Sequence, residues 1–388
     1  MQKVDFVDLH IHSKFSIPSS KSMGLENIAN FAKKRGVTII GTGDILFPEW
    51  RKEVEKNMEF ENGFYYFNNL RFVLTAEVNI IFEMFSSIKK FHAVLSFYDF
   101  KKEDEFKRAF DRYANFDSIA RPNISIRPKD FLRIVEEIGG VHIILAHIFT
   151  PYYGILGANN NLNNVNEVFD KDVSQIIFVE TGLSADPSMI FKVKHLRSFV
   201  ALSNSDAHSL KNIGREGIGV PFSKTYDELF LNLKNKSAIF TIEEFSEIGK
   251  YYLDGHRQCK FKTNDFSLAN CPICGKPLTK GVLHRIFELS QDESNLNKNP
   301  LIQKFYFFVP LKEILPLLFN KSMVNYIYDK ILENFNSEYN FFFFNRDFGS
   351  YDFLSNDLIT IVKNIKDKKL TFDYGYDGVY GSWGLLSA

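Results

Sequence analysis

Neither positive nor negative charge is in excess in this chain of 388 residues, because 47 Lys and Arg side chains balance 47 Asp and Glu side chains. A polyanionic partner would therefore be held by local basic patches and not by overall charge. No run of 18 apolar residues is present, which excludes an ordinary membrane-spanning helix. The segment from Met1 to Leu9 lacks the basic and apolar regions of a signal peptide. We expect a cytoplasmic protein without membrane contact.

Cysteine is equally scarce, since the chain has three, too few for a disulfide framework. They form the pattern His256-x2-Cys259, eleven residues, then Cys271-Pro-Ile-Cys274. Two ligand pairs on tight turns are typical of a closed tetrahedral zinc site, and four protein ligands leave no position open for catalysis. The sequence predicts one structural zinc. Asp254 or another histidine in place of His256, or cysteines without a metal, remain alternatives.

The first 240 residues alternate strand-like runs with helical patterns, as expected for an α/β fold with a parallel sheet, open or closed. Helices are predicted around Leu25 to Ala32, ending at Gly36, and from Pro128 to Ile138. The predicted strands are Val4 to Leu9, Val37 to Gly41, Arg71 to Val78, Phe91 to Phe97, Val141 to Ala146, Gln175 to Glu180 and Ser198 to Ser203.

The rest of the chain changes in composition, and its length allows two or three domains. Residues 247–285 hold seven basic and three acidic side chains around the cysteines. Residues 286–388 mix strand-like and helical runs and end in the Gly- and Tyr-rich stretch Tyr374 to Gly381. We predict domains at 1–246, 247–285 and 286–388.

Candidate metal ligands follow the predicted strands at their carboxyl ends, where the active sites of parallel α/β folds lie. The exception is His92, at the start of its strand, and His142 lies within an apolar strand as a core histidine. The ligands at strand ends are His10, His12, Asp44, Glu77, His147, Asp206 and His208, and Glu180 also ends a predicted strand at this edge.

This pattern resembles the PHP (polymerase and histidinol phosphatase) family of metal-dependent phosphoesterases, whose fold is a distorted seven-stranded α/β barrel. Several further motifs make essentially the whole chain similar to the endonuclease Q family: Gly41-Thr-Gly-Asp44, Glu180-Thr-Gly-Leu-Ser-Ala-Asp186, Asn204-Ser-Asp-Ala-His208, the zinc ribbon and Tyr376-Asp-Gly-Val-Tyr-Gly381. The resemblance implies a DNA repair endonuclease that cuts 5′ of hypoxanthine, uracil, xanthine or abasic sites. It would leave 3′-hydroxyl and 5′-phosphate ends, and the region 286–388 would help hold DNA.

The resemblance also implies the roles of the ligands. One metal would be held by His10, His12, Glu77 and Asp206, and a second by Glu77, His92 and His147, with Asp206, Glu77 and His147 as catalytic residues. The metals would be two or three divalent ions such as Zn, Mn or Mg. A third metal would use Asp44 and His208, but a further histidine of the family pattern is replaced here by Lys14, Phe15 or Ser16. Asp44 and His208 therefore hold a weaker metal or orient the other ligands.

Damaged DNA is the expected substrate, and a deaminated base must be extruded before it can be read. The backbone of the loop Thr181, Gly182, Leu183 and Ser184 is our candidate for reading it, against an ordinary tight turn. Trp50 and Tyr152 are candidates to wedge the duplex or line the pocket.

Two further segments have open interpretations. We expect Phe341 to Phe344 to form a buried strand, with a base-stacking surface as the alternative. We expect Asn159 to Asn166 to be a solvated insertion, with a lid as the alternative. We expect a monomer. A sliding clamp is a further candidate partner, although Leu385 to Ala388 carries no clear clamp-binding motif.

Two rival functions remain. A small-molecule phosphoesterase similar to histidinol phosphatase would share the ligands and leave the zinc ribbon unexplained. A noncatalytic DNA-binding module would fit eroded ligands, whereas both principal ligand sets are complete.

Overall fold

The computed structural model of the chain describes residues 3–170, 176–290, 303–344 and 348–386. Its strands are β1 (Val4–Asp8), β2 (Ile39–Gly41), β3 (Glu59–Glu61), β4 (Phe64–Phe67), β5 (Leu70–Met84), β6 (Ser87–Phe97), β7 (Asn123–Ser125), β8 (Val141–Leu145), β9 (Phe178–Glu180), β10 (Val200–Leu202), β11 (Gly217–Pro221), β12 (Phe240–Glu243), β13 (Asp254–His256), β14 (Phe261–Thr263), β15 (Lys304–Phe307), β16 (Leu370–Asp373) and β17 (Ser382–Leu385).

The α-helices are α1 (Leu25–Arg35), α2 (Pro48–Asn57), α3 (Phe100–Phe110), α4 (Pro128–Ile138), α5 (Asn166–Phe169), α6 (Pro187–Ile190), α7 (Tyr226–Lys234), α8 (Val282–Leu289), α9 (Leu311–Ile314), α10 (Lys321–Phe335) and α11 (Asn356–Lys366). Within the described ranges, no helix has the length and apolar character needed to cross a membrane.

Seven of these strands lie where the sequence predicts strands, and the α/β class is confirmed. Gln175, at the start of the sixth predicted strand, lies outside the described residues. The predicted helices are also present: Leu25, Ile28, Ala29 and Ala32 are buried in α1, which ends at the left-handed Gly36. Pro128 opens α4 and Gly139 follows its end, as the sequence predicts.

The main sheet has 13 strands, in the order β10-β9-β8-β6-β5-β2-β1-β11-β12-β15, with β4 and β7 pairing to β5 and β3 to β4. It curls until the chain after β1 meets the chain after β10. There Ile11 pairs with Ala207, and the Leu9 amide donates to Asn204 Oδ1 at 2.8 Å. Alternating side chains therefore line the inside of the curl, where Val7, Val94, Leu202 and other apolar residues pack on Phe230 of α7.

The expectation of a parallel sheet is wrong for β6. The pairs β1/β2, β2/β5, β8/β9 and β9/β10 are parallel, but β6 runs antiparallel to both β5 and β8. A turn of two residues, Phe85 and Ser86, joins β5 directly to β6. Such a tight hairpin can only connect antiparallel strands, and the sequence has no Asn-Gly or Asp-Gly pair there to reveal it.

The C-terminal region contributes to the main sheet, because β15 pairs in parallel with β12. It also binds the cysteine-containing segment: Asp377 accepts hydrogen bonds from the Arg257 amide at 2.7 Å and from the Thr279 hydroxyl at 2.6 Å. The three predicted domains are thus joined by backbone and side-chain hydrogen bonds.

Phe341 to Phe344 does not form the predicted strand. The segment is a π-helical turn in which Phe341 and Phe342 are fully buried, while Phe344 is 39% exposed. A short apolar run has no periodicity that distinguishes a buried strand from a buried helical turn, which explains the error.

The insertion Asn159 to Asn166 is also different from the expectation of a solvated segment. Leu162 and Val165 are fully buried. Asn160 donates from its side chain to the Lys90 carbonyl at 2.7 Å, and the guanidinium of Arg285 donates to the Leu162 carbonyl at 2.6 Å. The segment is therefore anchored to the protein by Asn160, Leu162 and Val165, while Asn159, Asn161, Asn163 and Asn166 are exposed as expected.

Candidate metal centre

The eight predicted barrel ligands come together at one edge of the sheet. His10 and His12 follow β1, Glu77 lies in β5, His92 in β6, and the remaining ligands, Asp44, His147, Asp206 and His208, lie in loops just after β2, β8 and β10. Side chains more than 190 residues apart in sequence, such as His12 and Asp206, are in contact there.

The antiparallel direction of β6 explains why His92 belongs to this group. His92 pairs with Asn79 and Val94 pairs with Glu77, so the start of β6 lies beside the end of β5. In an antiparallel strand the amino end reaches the edge that the parallel strands reach with their carboxyl ends. The apparent exception in the sequence pattern is therefore a ligand at the same edge.

Glu77 is the centre of the cluster and is 2% exposed. Its Oε1 lies 2.5 Å from His92 Nδ1, 3.3 Å from His147 Nε2 and 3.7 Å from His10 Nε2, while its Oε2 lies 3.5 Å from His12 Nε2. One carboxylate thus faces two groups of imidazoles. This is the arrangement of a carboxylate that bridges two cations.

Asp206 faces the first of these groups from the loop after β10. Its Oδ1 lies 3.1 Å from His12 Nε2, 3.6 Å from His10 Nε2 and 3.5 Å from His208 Nδ1. Three sets of ligand atoms therefore meet the distance requirement of a metal site: His10, His12 and Glu77; Glu77, His92 and His147; and His12, Asp206 and His208.

The electrostatics of the centre favour positive charge. Burial alone would raise the pKa of Glu77, but the charges of His92 and Arg121 hold it well below its usual range. Burial likewise opposes ionisation of Asp206, whose pKa is held low by the neighbouring histidines, with His10 the strongest. Burial would lower the pKa of His12, but Asp44 and the other carboxylates raise it to about 9. The buried Glu77 and the partly exposed Asp206 are carboxylates among imidazoles, a site at which cations can replace protons.

Unpartnered nitrogens show that the residues fit divalent metals. His10 Nε2, His92 Nε2 and His147 Nδ1 are buried and have no hydrogen-bond partner in the described part of the chain. His10 Nε2 faces two carboxylates at 3.6 and 3.7 Å, too far for hydrogen bonds and close enough to share one cation. Imidazole with carboxylate is a donor set for divalent transition metals.

Asp44 contacts the ligand His12 and belongs to none of the three sets of ligand atoms. Its Oδ1 lies 3.1 Å from Nδ1 of His12, and its Oδ2 accepts hydrogen bonds from the amide and hydroxyl of Ser13 at 2.6 and 2.8 Å. This contact leaves Nε2 of His12 to face the centre. Of the two roles expected for Asp44, the geometry favours orienting a ligand.

Two residues of the centre were not predicted as site residues. Both carboxylate oxygens of Glu180 lie 3.0 Å from His10 Nδ1, and Glu180 also accepts hydrogen bonds from the His147 amide and the Asn204 side chain. Arg121 donates to Glu77 Oε2 at 2.7 Å. The position of Glu180 at the end of a predicted strand was a usable signal, whereas Arg121 follows no strand and has none.

Three of the predicted ligands have left-handed backbone conformations. Asp44, His147 and Asp206 adopt φ angles of 51°, 28° and 45°, which residues other than glycine rarely adopt. Gly182 has a φ of 68°, and a Cβ atom there would lie 2.5 Å from Cβ of His147. The glycine is therefore required for the loop to pack against a ligand.

A cavity of about 220 Å³ adjoins the centre. Its lining includes the predicted ligands His92, His147, Asp206 and His208 and the loop residues Gly182, Leu183 and Ser184; Pro18, Arg121, Thr150, Tyr152, Tyr153, Glu180, Lys250 and Tyr251 complete the lining. A wider open depression of about 690 Å³ lies around Asp5 and Arg71, at the other end of β1 and β5, away from the ligands. We assign the site to the smaller cavity because the predicted metal ligands line it.

The predicted substrate-binding residues have different outcomes. Tyr152 lines the cavity and is 37% exposed. Thr181 is buried beneath the loop, where its hydroxyl lies 2.8 Å from that of Ser203. The expectation for Trp50 is wrong: it is fully buried and donates its indole N–H to the Thr42 carbonyl at 3.1 Å. An aromatic residue after a strand packs under the loop as readily as over it, and the sequence does not distinguish the two.

A second group of ligands lies in the cysteine-containing segment. The ligand atoms of His256, Cys259, Cys271 and Cys274 all lie within 4.8 Å of one another. The alternative ligand Asp254 is engaged elsewhere, since its carboxylate accepts a hydrogen bond from the Gly281 amide at 2.7 Å and lies 2.6 Å from His284 Nδ1. The set of two turns and four soft or borderline ligands fits a tetrahedral metal.

No protein-family model matches the chain. The uncharacterised protein YqxK of Bacillus subtilis is 30% identical over 314 residues, which cover 75% of this chain and 78% of that protein. The crystal structure of the lesion-specific endonuclease PfuEndoQ from Pyrococcus furiosus is similar with a TM-score of 0.86 and 27% identity, covering 99% of this chain and 96% of that chain. Endonuclease Q in complex with a 27-mer duplex substrate with an abasic lesion at the active site has a TM-score of 0.84 and 27% identity, covering 99% and 97%.

The curled α/β sheet with its edge of imidazoles and carboxylates defines a metal-dependent nuclease. Because the similarity extends over nearly the full length of both chains and includes the cysteine-containing segment, the assignment can be made more narrowly. The chain belongs to the endonuclease Q family.

Proposed function

We propose that this protein is a DNA repair endonuclease that hydrolyses the phosphodiester 5′ of deaminated bases and abasic sites, leaving 3′-hydroxyl and 5′-phosphate ends. The observation that carries the proposal is a single cavity lined both by predicted metal ligands and by Gly182 to Ser184, whose backbone is the candidate for reading the lesion. A nucleotide whose phosphate lies at the ligands would place its base or bare sugar against that backbone. The two similar endonucleases, one specific for lesions and one bound to an abasic duplex, support the same substrate class.

The residues would hold two divalent ions, with His10, His12, Glu77 and Asp206 on one and Glu77, His92 and His147 on the other. The bound ions supply a hydroxide at neutral pH and stabilise the charge that develops on the phosphate. His208 would add a third ligand set with His12 and Asp206. Asp206, Glu77 and His147 are the catalytic residues in this proposal.

Arg121 is placed to contact both Glu77 and a phosphate bound in the cavity. Its guanidinium lines the cavity while remaining 2.7 Å from Glu77. A planar guanidinium with five donors can contact Glu77 and a phosphate oxygen at once, which neutralises charge on the group under attack. We propose that Arg121 binds the scissile phosphate.

Lesion selectivity would come from the loop. Hypoxanthine and uracil present a carbonyl acceptor and an adjacent ring N–H where adenine and cytosine present an amino group. The loop that contains Gly182 can offer backbone donors and acceptors close to His147, because glycine adds no side chain between them. A normal base would leave buried polar groups unpaired, at a cost of about 1 to 3 kcal/mol each.

The cysteine-containing segment would hold one structural zinc and part of the DNA backbone. Its basic residues are not equally available. Arg285 is buried and donates to the carbonyls of Leu156 and Leu162, so it is not available to contact DNA phosphates. Lys250 lines the cavity, and Lys260 and Lys276 are exposed on the segment.

The test uses labelled duplexes that carry one inosine, uracil or abasic site, beside an undamaged duplex. Nicking directly 5′ of the lesion, with sparing of the undamaged duplex, is the expected result. Asp206→Asn should fold as the wild type does and lose cleavage, because it removes a carboxylate charge from the centre. Hydrolysis of histidinol phosphate without nicking of any lesion duplex would replace this proposal with a small-molecule phosphoesterase, and an Asp206→Asn variant as fast as wild type would show that the centre is wrongly assigned.

A further inference from the structure

Ile17 is the most exposed large hydrophobic residue in the described part of the chain, at 81%. Single exposed aliphatic residues are common on protein surfaces and need no explanation by themselves. The position of this one is informative, because the next residue, Pro18, lines the cavity at the metal ligands. Ile17 therefore stands at the mouth of the site.

The loop that carries Ile17 is held in place by backbone hydrogen bonds. The Lys14 amide donates to the Met23 carbonyl at 2.9 Å, which closes the base of the loop, and the Ser20 amide donates to the carbonyl of His208 at 2.8 Å. The loop is thus joined directly to a predicted metal ligand. Ile17 is presented to solvent by a fastened loop, at a fixed place relative to the centre.

From this position we propose that Ile17 is a wedge that enters the DNA stack at the lesion and fills the space left by the extruded nucleotide. The inference rests on the proposed function, because it presumes a damaged duplex at the site. Extrusion costs a few kcal/mol of lost stacking and pairing. Inserting an apolar side chain between base steps is a known way to offset that cost. A β-branched side chain has few rotamers to lose when it inserts.

Tyr152, the other candidate wedge, is less suited. Its hydroxyl lies 3.4 Å from that of Thr279, and its ring packs edge-on against Tyr251 with centroids 5.9 Å apart. Insertion of Tyr152 into DNA would break these contacts, whereas Ile17 has 81% of its surface free. Tyr152 is better placed to bound the cavity from the side.

The test compares two substrates that differ only in whether extrusion of the uracil costs free energy of pairing and stacking. One carries uracil paired with adenine in a duplex, and the other carries the same uracil in a short unpaired bubble. Ile17→Ala should lower kcat/KM about tenfold or more on the paired uracil, which corresponds to part of the extrusion cost, and by less than about threefold in the bubble. Ile17→Leu should restore most of the loss. Leu231→Ala, which removes a 67% exposed residue from α7, is the matched control and should behave as wild type.

A direct readout is the fluorescence of 2-aminopurine placed beside the uracil, measured in the Asp206→Asn background so that no cleavage occurs. Binding should increase the fluorescence through unstacking, and Ile17→Ala should reduce this increase. Equal losses on both substrates, or no loss on the paired uracil, would overturn the wedge. Failure of the proposed function is distinguishable, since wild type would then nick neither uracil substrate.

Discussion

Both carboxylate oxygens of Glu180 lie 3.0 Å from Nδ1 of His10, although the two residues are 170 positions apart in sequence. The contact leaves Nε2 of His10 to face Glu77 and Asp206. Glu180 also accepts a hydrogen bond from the backbone amide of His147, 3.0 Å away. One carboxylate outside the ligand sets therefore contacts a residue of each of the two proposed ligand sets.

Glu180→Gln should lower metal affinity and activity by about 10- to 100-fold, the usual effect of removing a partner that orients a ligand. The amide lacks the charge that makes His10 a stronger donor, and it presents a donor where Glu180 has two acceptors. Metal titration followed by activity at saturating metal measures the two effects separately. Glu137→Gln, which alters a surface pair with Arg133, is the control, and unchanged metal affinity in Glu180→Gln would contradict the assigned role.

Gly182→Ala should impair cleavage by displacing His147. The new Cβ would lie 2.5 Å from Cβ of His147, and the φ of 68° disfavours alanine. Gly139→Ala separates the two effects, since Gly139 has a φ of 61° but nothing within 4 Å of the added methyl group. Activity of each variant is compared at equal folded fraction, and the idea fails if both variants lose activity to the same degree.

Arg121→Ala should lower kcat by about 100-fold, because removing a group that stabilises developing charge typically has an effect of that size. The loss should be similar for inosine, uracil and abasic duplexes, because the scissile phosphate is common to all three. Arg121→Lys should recover only part of the rate, because lysine restores the positive charge but cannot form the two-point contact of a guanidinium. Single-turnover rates on the three lesions decide the matter, and a loss restricted to one lesion would assign Arg121 to base recognition instead.

Cys271→Ser should release one zinc equivalent and unfold the cysteine-containing segment locally. Cys271 is 1% exposed and its amide and carbonyl both bond within the turn, so loss of the metal removes the support of the whole loop. DNA affinity should fall more than the rate of bound substrate, because Lys260 and Lys276 lose their placement. Ile273→Ala changes an exposed side chain in the same turn and should retain zinc. Elemental analysis that finds equal zinc in wild type and Cys271→Ser would exclude the site.

Glu216 and Glu243 predict a pH dependence of stability. Burial raises the pKa of both carboxyls well above the ordinary value of 4.5, and the charge of Glu243 adds to the shift at Glu216. Gly217 of β11 pairs with Ile242 of β12, so Glu216, directly before β11, lies opposite Glu243, the last residue of β12. The folded protein holds protons that the unfolded chain releases above pH 4.5, so stability should fall as pH rises from there, by up to about 1.4 kcal/mol per pH unit for each proton.

Glu216→Gln should flatten that decline and raise the unfolding midpoint at pH 8, since glutamine holds no proton that unfolding would release at that pH. Arg215 retains Glu244 at 3.7 Å, which limits the cost of losing Glu216. Thermal unfolding between pH 5 and 8 compares this variant with wild type and with the surface variant Glu137→Gln. An unchanged pH profile in Glu216→Gln would show that its carboxyl is ionised in the folded protein.

Seven strands of the main sheet, the helices α1 and α4, the candidate ligands at strand ends and the cysteine pattern follow from the sequence alone, whereas the division of the ligands into two sets was implied by the family resemblance. These features are local: alternation, caps and spacing act within a few residues, and polar residues placed after apolar runs mark the active edge of an α/β sheet. The direction of β6, the burial of Trp50, the helical turn at Phe341 and Phe342, and the roles of Arg121 and Arg285 depend on the tertiary structure. The direction of β6 is set by a turn whose residues carry no recognisable turn signal. The other features depend on contacts between residues that are distant in sequence, which no local pattern encodes. The contact of Glu180 with His10 depends on both kinds of information. The position of Glu180 at a strand end follows from the local sequence, whereas the curl of the sheet brings it next to His10.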